Sequence, residues 1–532
     1  MIASKHMPKL VAVFLCLCLL FCGFVVYASN AFTTVRNPDY QEKLFAGDVV
    51  SLDIQVDNDV WQDFLDKAED KPWIPADVVI NGQRFGTIGI RPKGNSTLVW
   101  IAGSRGAGNN NSFSLHFKAD KYVRGQTFFG LDTFCVNNMM GDATYMKDFV
   151  SYDMMRFIGV DAPLVNYASV TVNGADYGFG LMLERYDRSY LNRVYGAGTG
   201  QLYNVKWQMA PPGEMGGLQP GMRPAGGNIV RNAGGSLVYT DDDIGSYSAI
   251  FDNAIFSNIV DRDKKRVITA LKNLQTGTDL ERYVDVDATL RYFAAHTTVV
   301  NLDSYISNLQ QNYYLYERDG RLHILPWDYN FAFGGFSNSD ASGTVNFPID
   351  TPVSAVSMEE RPLLNKLLEV EAYKERYHGY LRQIAEDYIE SGLLESTVYA
   401  VDAKIRDYVQ DDVSAFFSFA RYEASLPVLI ELMYLRAESI KGQLDGSIPS
   451  TSRGQILDYG SRIDASALNL NLFVLGSAMG GGMRGVVPVI VGQNPQAQKD
   501  SAGTGTVLIT AVLLLTLGCA TAFIAKSSRF KT

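Results

Sequence analysis

The sequence predicts an α+β fold with two lobes, a strand-rich N-terminal part followed by a helical C-terminal part. Two Asn-Gly pairs, Asn81-Gly82 and Asn173-Gly174, each separate two apolar runs rich in β-branched residues, which is the strongest short-range signal for a β-hairpin. From about residue 247 onward the apolar residues recur at helical spacing. A chain of 532 residues is long enough for one large domain with two lobes.

The N-terminal lobe is predicted over residues 29–190, with one main helix. Periodicity predicts strands at 49–56, 77–80, 83–85, 87–90, 112–117, 168–172 and 178–183, and a short amphipathic helix at 59–68. The main helix is expected over 142–158, with Asp142 as its N-cap and Gly159 after its last residue. Its apolar residues recur at helical spacing and indicate a core-facing helix.

The C-terminal lobe is predicted over residues 191–450. Helical patterns cover 247–274, 285–299, 362–394 and 396–445. The Gly-, Pro- and Met-rich segment 209–235 is expected to be a flexible insertion, because it lacks the apolar residues of a core. Residues 451–504 are predicted to be a tail that ends in a Gly-rich tether.

Two apolar runs flank this folded part. Residues 1–28 fit either a signal peptide or a transmembrane helix, and residues 505–527 fit a transmembrane helix. Both have basic residues on the side expected to face the cytoplasm, which predicts a membrane-anchored protein whose large middle segment is extracytoplasmic. Cys135 is the one cysteine outside these runs, so the middle segment has no internal disulfide.

Composition excludes some classes of partner. The formal net charge of −10 argues against nucleic acid, because no large basic surface is available for its phosphates. The five histidines are scattered and lack the spacing of a zinc site.

The candidate catalytic segment is 301–336. It places Asp303 before two amides, Asn308 and Asn312, then a Tyr-rich hairpin with an Asp319-Gly320 turn, and then Asp328. Phosphoryl transfer needs one carboxylate to orient a hydroxyl, and a second carboxylate and an amide to hold magnesium. Protein kinases arrange an Asp, an Asn, a hairpin and a second Asp in this order. Capping and turn roles are the structural alternative for each of these residues.

A second candidate segment, RPKGNST at 91–97, follows a predicted strand. Arg91 and Lys93 supply positive charge, Gly94 supplies flexibility, and Asn95 and Ser96 supply polar groups. These are the requirements of a phosphate cradle, although a solvated turn has a similar composition.

With these motifs in hand, the chain resembles the spore coat protein H (CotH) kinase family over most of residues 49–449. The resemblance rests on IRPKGNST, YMKDFVSYDMM, VNGADYGFGLMLERYDRSYLNR, LVYTDDD, NLDSY, QNYYLYERDG, PWDYNFAFGGF and GQLDGSIPST, in this order. It implies an atypical protein-kinase-like two-lobed fold. It also implies transfer of the ATP γ-phosphate, with Mg²⁺ or Mn²⁺, to serines of coat proteins.

The resemblance also implies roles for individual residues. Asp303 matches the catalytic-loop aspartate, Asp328 the metal-binding aspartate, and Asn312 the amide beside the Tyr-rich strand, with Asn308 and Asn330 as further metal ligands. The nucleotide site is expected to contain the residues Arg91, Lys93, Asn95, Ser96, Lys118 and Glu184. Three positions depart from the family pattern: Gln311 replaces a histidine, Asn330 replaces a second aspartate, and Ser114 replaces a lysine, so either Lys93 or Lys118 would hold the phosphates.

The sequence therefore predicts a metal-dependent, membrane-anchored protein kinase acting on Ser or Thr of a surface or spore-coat protein. The alternative is a catalytically weak or inactive surface or spore-envelope protein that keeps the fold for binding or assembly. Scarcity of ATP outside the cytoplasm favours the alternative.

Overall fold

The computed structural model describes Cys18 and residues 38–105, 111–196, 200–206, 234–336 and 340–473. The strands within these ranges are β1 Val50–Gln55, β2 Ile74–Ile80, β3 Gln83–Lys93, β4 Ser114–Lys118, β5 Thr133–Asn138, β6 Val165–Val172, β7 Ala175–Glu184, β8 Gln201–Val205, β9 Tyr313–Arg318 and β10 Arg321–Pro326. The α-helices are α1 Asn58–Asp66, α2 Ser96–Arg105, α3 Lys147–Phe157, α4 Arg188–Tyr195, α5 Ser248–Phe251, α6 Asp261–Thr276, α7 Leu280–Tyr283, α8 Val286–Val299, α9 Ala341–Val345, α10 Pro362–Leu368, α11 Glu371–Gln383, α12 Leu393–Asp411, α13 Phe419–Asp445 and α14 Ser452–Leu457.

Seven strands close into a barrel in the order β1-β2-β3-β4-β5-β7-β6. Neighbouring strands are antiparallel except β1 and β6, whose parallel pairing runs from Val50 opposite Ala168 to Ile54 opposite Val172 and closes the barrel. Alternate side chains of the strands point inward, and residues such as Leu52, Val78 and Phe117 form a buried core there. Closure leaves none of these seven strands as an unpaired edge.

Strands β6 and β7 are buried on both faces and form the wall between two cores. Ala168 and Met182 belong to the barrel core, whereas the alternating neighbours Tyr167, Leu181 and Leu183 pack with the helices. The period of two along a strand sends successive side chains to opposite sides. The near-continuous apolar sequence of these strands follows from this double burial.

A second sheet has three antiparallel strands in the order β10-β9-β8. Its β9–β10 hairpin turns at Asp319 and Gly320, which both have positive φ, 54° and 84°, as the turn chemistry predicts. The open end of the hairpin brings Tyr313 opposite Pro326. The segments on either side of the hairpin, which hold the candidate acids, therefore start from adjacent strand ends.

Helix α8 leads into the first of these segments and is buried along most of its length. At its C-terminal end the fully buried Arg436 of α13 donates hydrogen bonds to the carbonyl oxygens of Thr297 at 3.0 Å, Val345 at 2.9 Å and Phe347 at 2.7 Å. A guanidinium satisfies the unpaired carbonyls of a helix end and is favourable at the negative end of its dipole. Arg436 thus fixes the point where the chain leaves α8.

The predicted kinase-like two-lobed fold is wrong. The structure is a mixed α/β fold in which seven strands form a closed barrel, and the helical core continues onto the outer faces of β6 and β7. Sequence periodicity identifies strands but not their partners, so the parallel closure between β1 and β6, more than a hundred residues apart, was not foreseen.

The prediction of transmembrane segments at both ends is not supported by the described part of the chain. There, no helix combines the length and apolar character needed to cross a bilayer. Apart from Cys18, the runs 1–28 and 505–527 lie outside the described residues, as do most of the predicted insertion 209–235 and the tether.

Candidate functional site

The two predicted acids, Asp303 and Asp328, are brought together by a buried asparagine. Asn301 Nδ2 donates to the carbonyl oxygen of Asp328 at 3.1 Å, and Asn301 Oδ1 accepts from the backbone N–H of Asp303 at 3.1 Å. One fully buried side chain thereby joins the segment before the hairpin to the segment after it. The charge of Asp328 acts on Asp303 and raises its pKa.

A buried histidine supports the same junction. His296, on α8, lies 2.8 Å from the Tyr329 hydroxyl through Nδ1 and 2.9 Å from Ser304 Oγ through Nε2. Ser304 Oγ donates to the Asn301 carbonyl at 2.7 Å, so it accepts from His296 Nε2–H, and Nδ1 accepts from Tyr329. Burial lowers the pKa of His296 to about 3, so the ring is neutral and holds both segments in place.

Asp303 has the surroundings of a general base. Burial is the largest effect and raises the pKa of Asp303, and the charge of Asp328 acts in the same direction. A hydrogen bond from Gln311 Nε2 to Oδ1 at 2.6 Å opposes both effects, and the resulting pKa is about 7. Asn312 Nδ2 holds the backbone carbonyl of Asp303 at 2.8 Å. A carboxyl whose pKa lies near neutrality is suited to accept a proton from a substrate hydroxyl.

Asp328 occupies a constrained position. Its φ of 62° places it in the left-handed region, and its N–H donates to the Tyr152 hydroxyl at 3.0 Å. Its half-buried carboxylate accepts no hydrogen bond within the described ranges, so its oxygens face the site without a partner. A non-glycine residue in this conformation is held by its surroundings and is typical of functional positions.

A third carboxyl, Asp148 of α3, lies next to Asp328. Its Oδ1 accepts from the N–H of Tyr329 at 2.7 Å. Burial and the charge of Asp328 raise the pKa of Asp148 to about 7, and Lys93 opposes the shift. The segment YMKDFV was interpreted as part of a helix facing the core, so Asp148 was not among the predicted acids. The sequence did contain a signal for Asp148, because a charged residue among the apolar residues of a core-facing helix is unusual.

A group of positive side chains lies beside these acids and is called here the cation cluster: Arg91, Lys93, Arg185, Lys206 and Lys71. Burial lowers the pKa of Lys206, and Lys71, Arg185 and Arg91 lower it further. Burial and Arg185 likewise lower the pKa of Arg91. The described carboxylates form no ion pair with any of these five. Positive groups that repel one another without a counter-ion are arranged to receive an anion.

The residues of the cluster are positioned from the barrel and from Trp327. Lys93 Nζ donates to Asn137 Oδ1 at 2.6 Å and lies 5.4 Å from the centre of the Trp327 ring, and the Arg185 guanidinium lies 5.7 Å from the same ring. Arg91 donates through Nε to His116 Nδ1 at 3.1 Å. Burial holds the pKa of His116 well below its usual range, so the neutral ring accepts this bond.

Tyr314 lies between the cation cluster and the acids. It is fully buried, with its ring 5.2 Å from Trp327 and 4.6 Å from Tyr186. Its hydroxyl has no hydrogen-bond partner among the described residues, although Arg185 and Asp328 both act on its pKa. An unpaired hydroxyl in a buried site is unfavourable, which indicates a group that a ligand would satisfy.

Several residues of the predicted site have other positions or contacts. Asn308 is exposed and bonds to neither acid, and the Asn330 side chain packs on Gly141 while its carbonyl accepts from Lys147 Nζ at 3.3 Å. Asn95 is exposed and accepts from Lys71 at 2.9 Å. Ser96 begins α2.

The other two predicted nucleotide residues lie in different settings. Lys118 pairs with Asp120 at 3.5 Å at the end of β4 away from Lys93. Glu184 is fully buried, and its carboxylate accepts from Arg193 at 2.5 and 3.0 Å, from the Tyr40 hydroxyl at 2.7 Å and from Leu164 N–H at 3.0 Å. These bonds give Glu184 a structural role in holding β7 against α4.

Oxygen ligands for a divalent cation are available at Asp328 and Asn312. Within the described residues, no three His, Cys, Asp or Glu side chains are grouped closely enough to hold a metal on their own. A Mg²⁺ ion retains waters and substrate phosphates among its ligands and uses one or two carboxylates. The donor set fits a metal that arrives with a nucleotide better than a resident metal.

The site defines a class of protein that can bring an anion and a general base together: a buried acid near neutral pKa, a free carboxylate and a cluster of unpaired cations. The model of the CotH kinase protein family matches residues 90–440, and the chain belongs to this family. It is also similar to the inner spore coat protein H of Bacillus subtilis (strain 168), with 22% identity over 349 residues, which cover 61% of this chain and 81% of that protein.

Proposed function

We propose that this protein transfers the γ-phosphoryl group of ATP to a serine or threonine hydroxyl of a protein substrate. The observation that carries the proposal is the juxtaposition of the acids Asp303 and Asp328 with the unpaired cation cluster, with the unsatisfied Tyr314 hydroxyl between them. Family membership supports the same reaction class. A spore-envelope or surface location is proposed from the name of the relative.

The cation cluster would bind the phosphates. Arg91, Lys93 and Arg185 are already held by the barrel and by Trp327, so little ordering of these three is needed when a triphosphate arrives. Their mutual repulsion is relieved by the negative charge of the ligand, and their positive charge offsets the charge that builds up on the phosphoryl oxygens during transfer.

Asp303 would act on the acceptor. Gln311 holds its Oδ1, which leaves Oδ2 to accept the proton of the substrate hydroxyl. The hydroxyl oxygen then forms a bond to the γ-phosphorus as the bond from that phosphorus to the β,γ-bridging oxygen breaks. ADP leaves with that bridging oxygen, and the proton remains on Asp303.

Asp328, with Asn312, would hold a divalent cation. Mg²⁺ or Mn²⁺ bound there would neutralise the β- and γ-phosphates. The left-handed backbone at Asp328, fixed by Tyr152 and Asn301, directs the following Tyr329 into the core and leaves the Asp328 side chain at the site.

The test is transfer from radiolabelled ATP, with Mg²⁺ or Mn²⁺, to dephosphorylated casein as a generic acceptor and to the protein itself, the latter followed by intact mass. The full chain is compared with Asp303→Asn and Asp328→Asn, and with Asp458→Asn, an exposed acid that makes no side-chain hydrogen bond in the described structure, as the matched control. We expect transfer by the wild type and the control and its loss in the two site variants. Equal incorporation by all four proteins would refute the proposal, and nucleotide binding without transfer would favour the inactive binding protein.

A further inference from the structure

A cavity of about 380 Å³ lies at the turn end of the β9–β10 hairpin, away from the acids. It is lined by Tyr195, Arg282, Tyr316, Arg318, Arg321 and His323, with Asp319 as the carboxylate at its edge. The proposed transfer reaction does not use these residues, although Tyr316, Arg318 and Asp319 belong to the QNYYLYERDG motif. We call this cavity the arginine pocket.

The arginine pocket has an excess of positive charge that is only weakly neutralised. Arg318 is 3.9 Å from Asp319, whose side chain is 91% exposed, and Arg321 is 3.5 Å from Asp285. Arg282 forms no ion pair with a carboxylate in the described structure. Pairs this long and this exposed are weak, so the three guanidinium groups can exchange their present contacts for a ligand.

Tyr316 supplies the observation that points to a ligand. Its ring is fully buried and stacks on Tyr195 with centroids 4.5 Å apart and an interplanar angle of 16°. Tyr316 is one of the lining residues. Its buried hydroxyl has no hydrogen-bond partner in the part of the chain that the structure describes, and the nearby Arg318 lowers its pKa against the effect of burial. A buried hydroxyl left unpaired is unfavourable in the empty protein, and an acceptor oxygen placed in the pocket would satisfy it.

The chemistry of the lining selects a small oxyanion. Guanidinium groups match the oxygens of a phosphate with paired hydrogen bonds. Burial lowers the pKa of His323 to about 4, and Asp285 opposes the shift, so the ring is neutral at pH 7. Its Nδ1 lies 3.4 Å from Asp285 Oδ2, so the guanidinium groups, and not this ring, supply the hydrogen-bond donors of the pocket. The pocket is too small for a large ligand and offers no extended apolar wall.

We propose that the arginine pocket binds a phosphomonoester group. Arg318 lies five residue steps after Tyr313, the first residue of β9, a span of roughly 17 Å along the strand. A peptide with its acceptor hydroxyl at Asp303 would cover this distance with about five extended residues. On the basis of the proposed function, the phosphomonoester is a phosphoserine already present on the protein substrate, so that one phosphorylation assists the next.

Binding is tested without ATP, so that the result does not depend on transfer. The full-length protein is titrated with a fluorescent peptide containing one phosphoserine, with its unmodified counterpart, and with inorganic phosphate as a competitor. Arg318→Ala and Tyr316→Phe are compared with Arg262→Ala, which removes an exposed arginine outside the pocket. We expect each pocket variant to weaken phosphopeptide binding about tenfold or more, the scale of one hydrogen bond to a charged group.

Urea denaturation separates a binding role from a structural one. Tyr316→Phe keeps the ring on Tyr195 and deletes only the unpaired hydroxyl, so it should fold with undiminished stability while it binds less well. Competition by inorganic phosphate would support the phosphate chemistry, and binding of inorganic phosphate alone would assign the pocket to the free anion. Equal binding by the unmodified peptide, or unchanged affinity in both pocket variants, would overturn the proposal.

Discussion

Replacing Tyr314 by Phe should make the protein more stable and a poorer binder of nucleotide. The change removes a hydroxyl that is fully buried and unpaired among the described residues, and it keeps the ring between Tyr186 and Trp327. A structural hydroxyl would show the opposite pattern, since its loss would destabilise the fold. The combination of the two effects is therefore diagnostic of a group kept for a ligand.

The magnitudes follow from the contacts. Leaving a buried hydroxyl unpaired costs about 1–3 kcal/mol, so the variant should gain up to that amount in its free energy of unfolding. A hydrogen bond to a charged phosphate is worth about 1.5–3 kcal/mol. Its loss should weaken nucleotide binding by roughly 10- to 150-fold.

Two measurements check the prediction. Urea denaturation of the free protein gives the change in stability, and calorimetric titration with a non-hydrolysable ATP analogue and Mg²⁺ gives the dissociation constant. Tyr203→Phe is the matched control, because Tyr203 is also fully buried with an unpaired hydroxyl but lies on β8, outside the cation cluster. The control should gain stability and keep its affinity.

Two results would refute the reasoning. If Tyr314→Phe lowers the stability, the hydroxyl has a structural partner. If it raises the stability but leaves nucleotide affinity unchanged, as in Tyr203→Phe, the hydroxyl does not contact the ligand.

Three further predictions follow. Asp303→Asn should lower the rate of phosphoryl transfer by about 100-fold or more without weakening nucleotide binding. In the wild type, kcat/KM should fall as the pH drops below about 7, because the pKa of Asp303 is about 7 and the base must be deprotonated. A flat pH profile would contradict this prediction. Burial tends to raise the pKa of the half-buried Asp350, but it accepts hydrogen bonds from His378 and Ser450 and pairs with Lys374, and these contacts lower its pKa from 3.8 to about 2. The lowered pKa of Asp350 stabilises the fold by about 2.5 kcal/mol above pH 4, and this contribution is lost as the pH falls towards 2. In urea titrations, Asp350→Asn should therefore be less stable than the wild type at pH 7 and nearly as stable at pH 2. An equal loss of stability at both pH values would contradict the prediction. Glu184→Gln leaves buried Arg193 without its counter-charge and should lower the free energy of unfolding by about 3 kcal/mol. If Glu184 bound nucleotide instead, the substitution would lower nucleotide affinity and leave the melting temperature unchanged.

Sequence reasoning predicted the parts of the candidate site that depend on local order. The Asp303–hairpin–Asp328 sequence was predicted because a hairpin returns the chain to its starting point, and the structure places the two acids at its open end. Turn chemistry located the hairpins at Asn81-Gly82 and Asp319-Gly320. Arg91 and Lys93 lie together in the cation cluster because they are two residues apart on β3, and alternate side chains of a strand point to the same face.

Other elements escaped the sequence reasoning for physical reasons. Strands β5 and β8 were not predicted, since short buried segments have no clear periodicity. Helix α2 was not predicted because its first residues, at the end of RPKGNST, were interpreted as part of a loop. The helix predicted from 142 begins at Lys147, because Asp142 accepts from the N–H groups of Thr144 and Lys147 and forms a turn before it.

The sequence by itself determined the family, the local hairpins and the pair of acids, because these depend on residues close together in the chain. The tertiary structure alone decided the barrel, which needs the distant pairing of β1 with β6. It also decided the site's electrostatics: Arg185, Lys206, Asp148 and Tyr314 come from four separate elements, and their burial and mutual charge exist only once those elements pack. A pKa near neutrality at Asp303 is a property of that packing, because desolvation and a neighbouring charge are set by the fold.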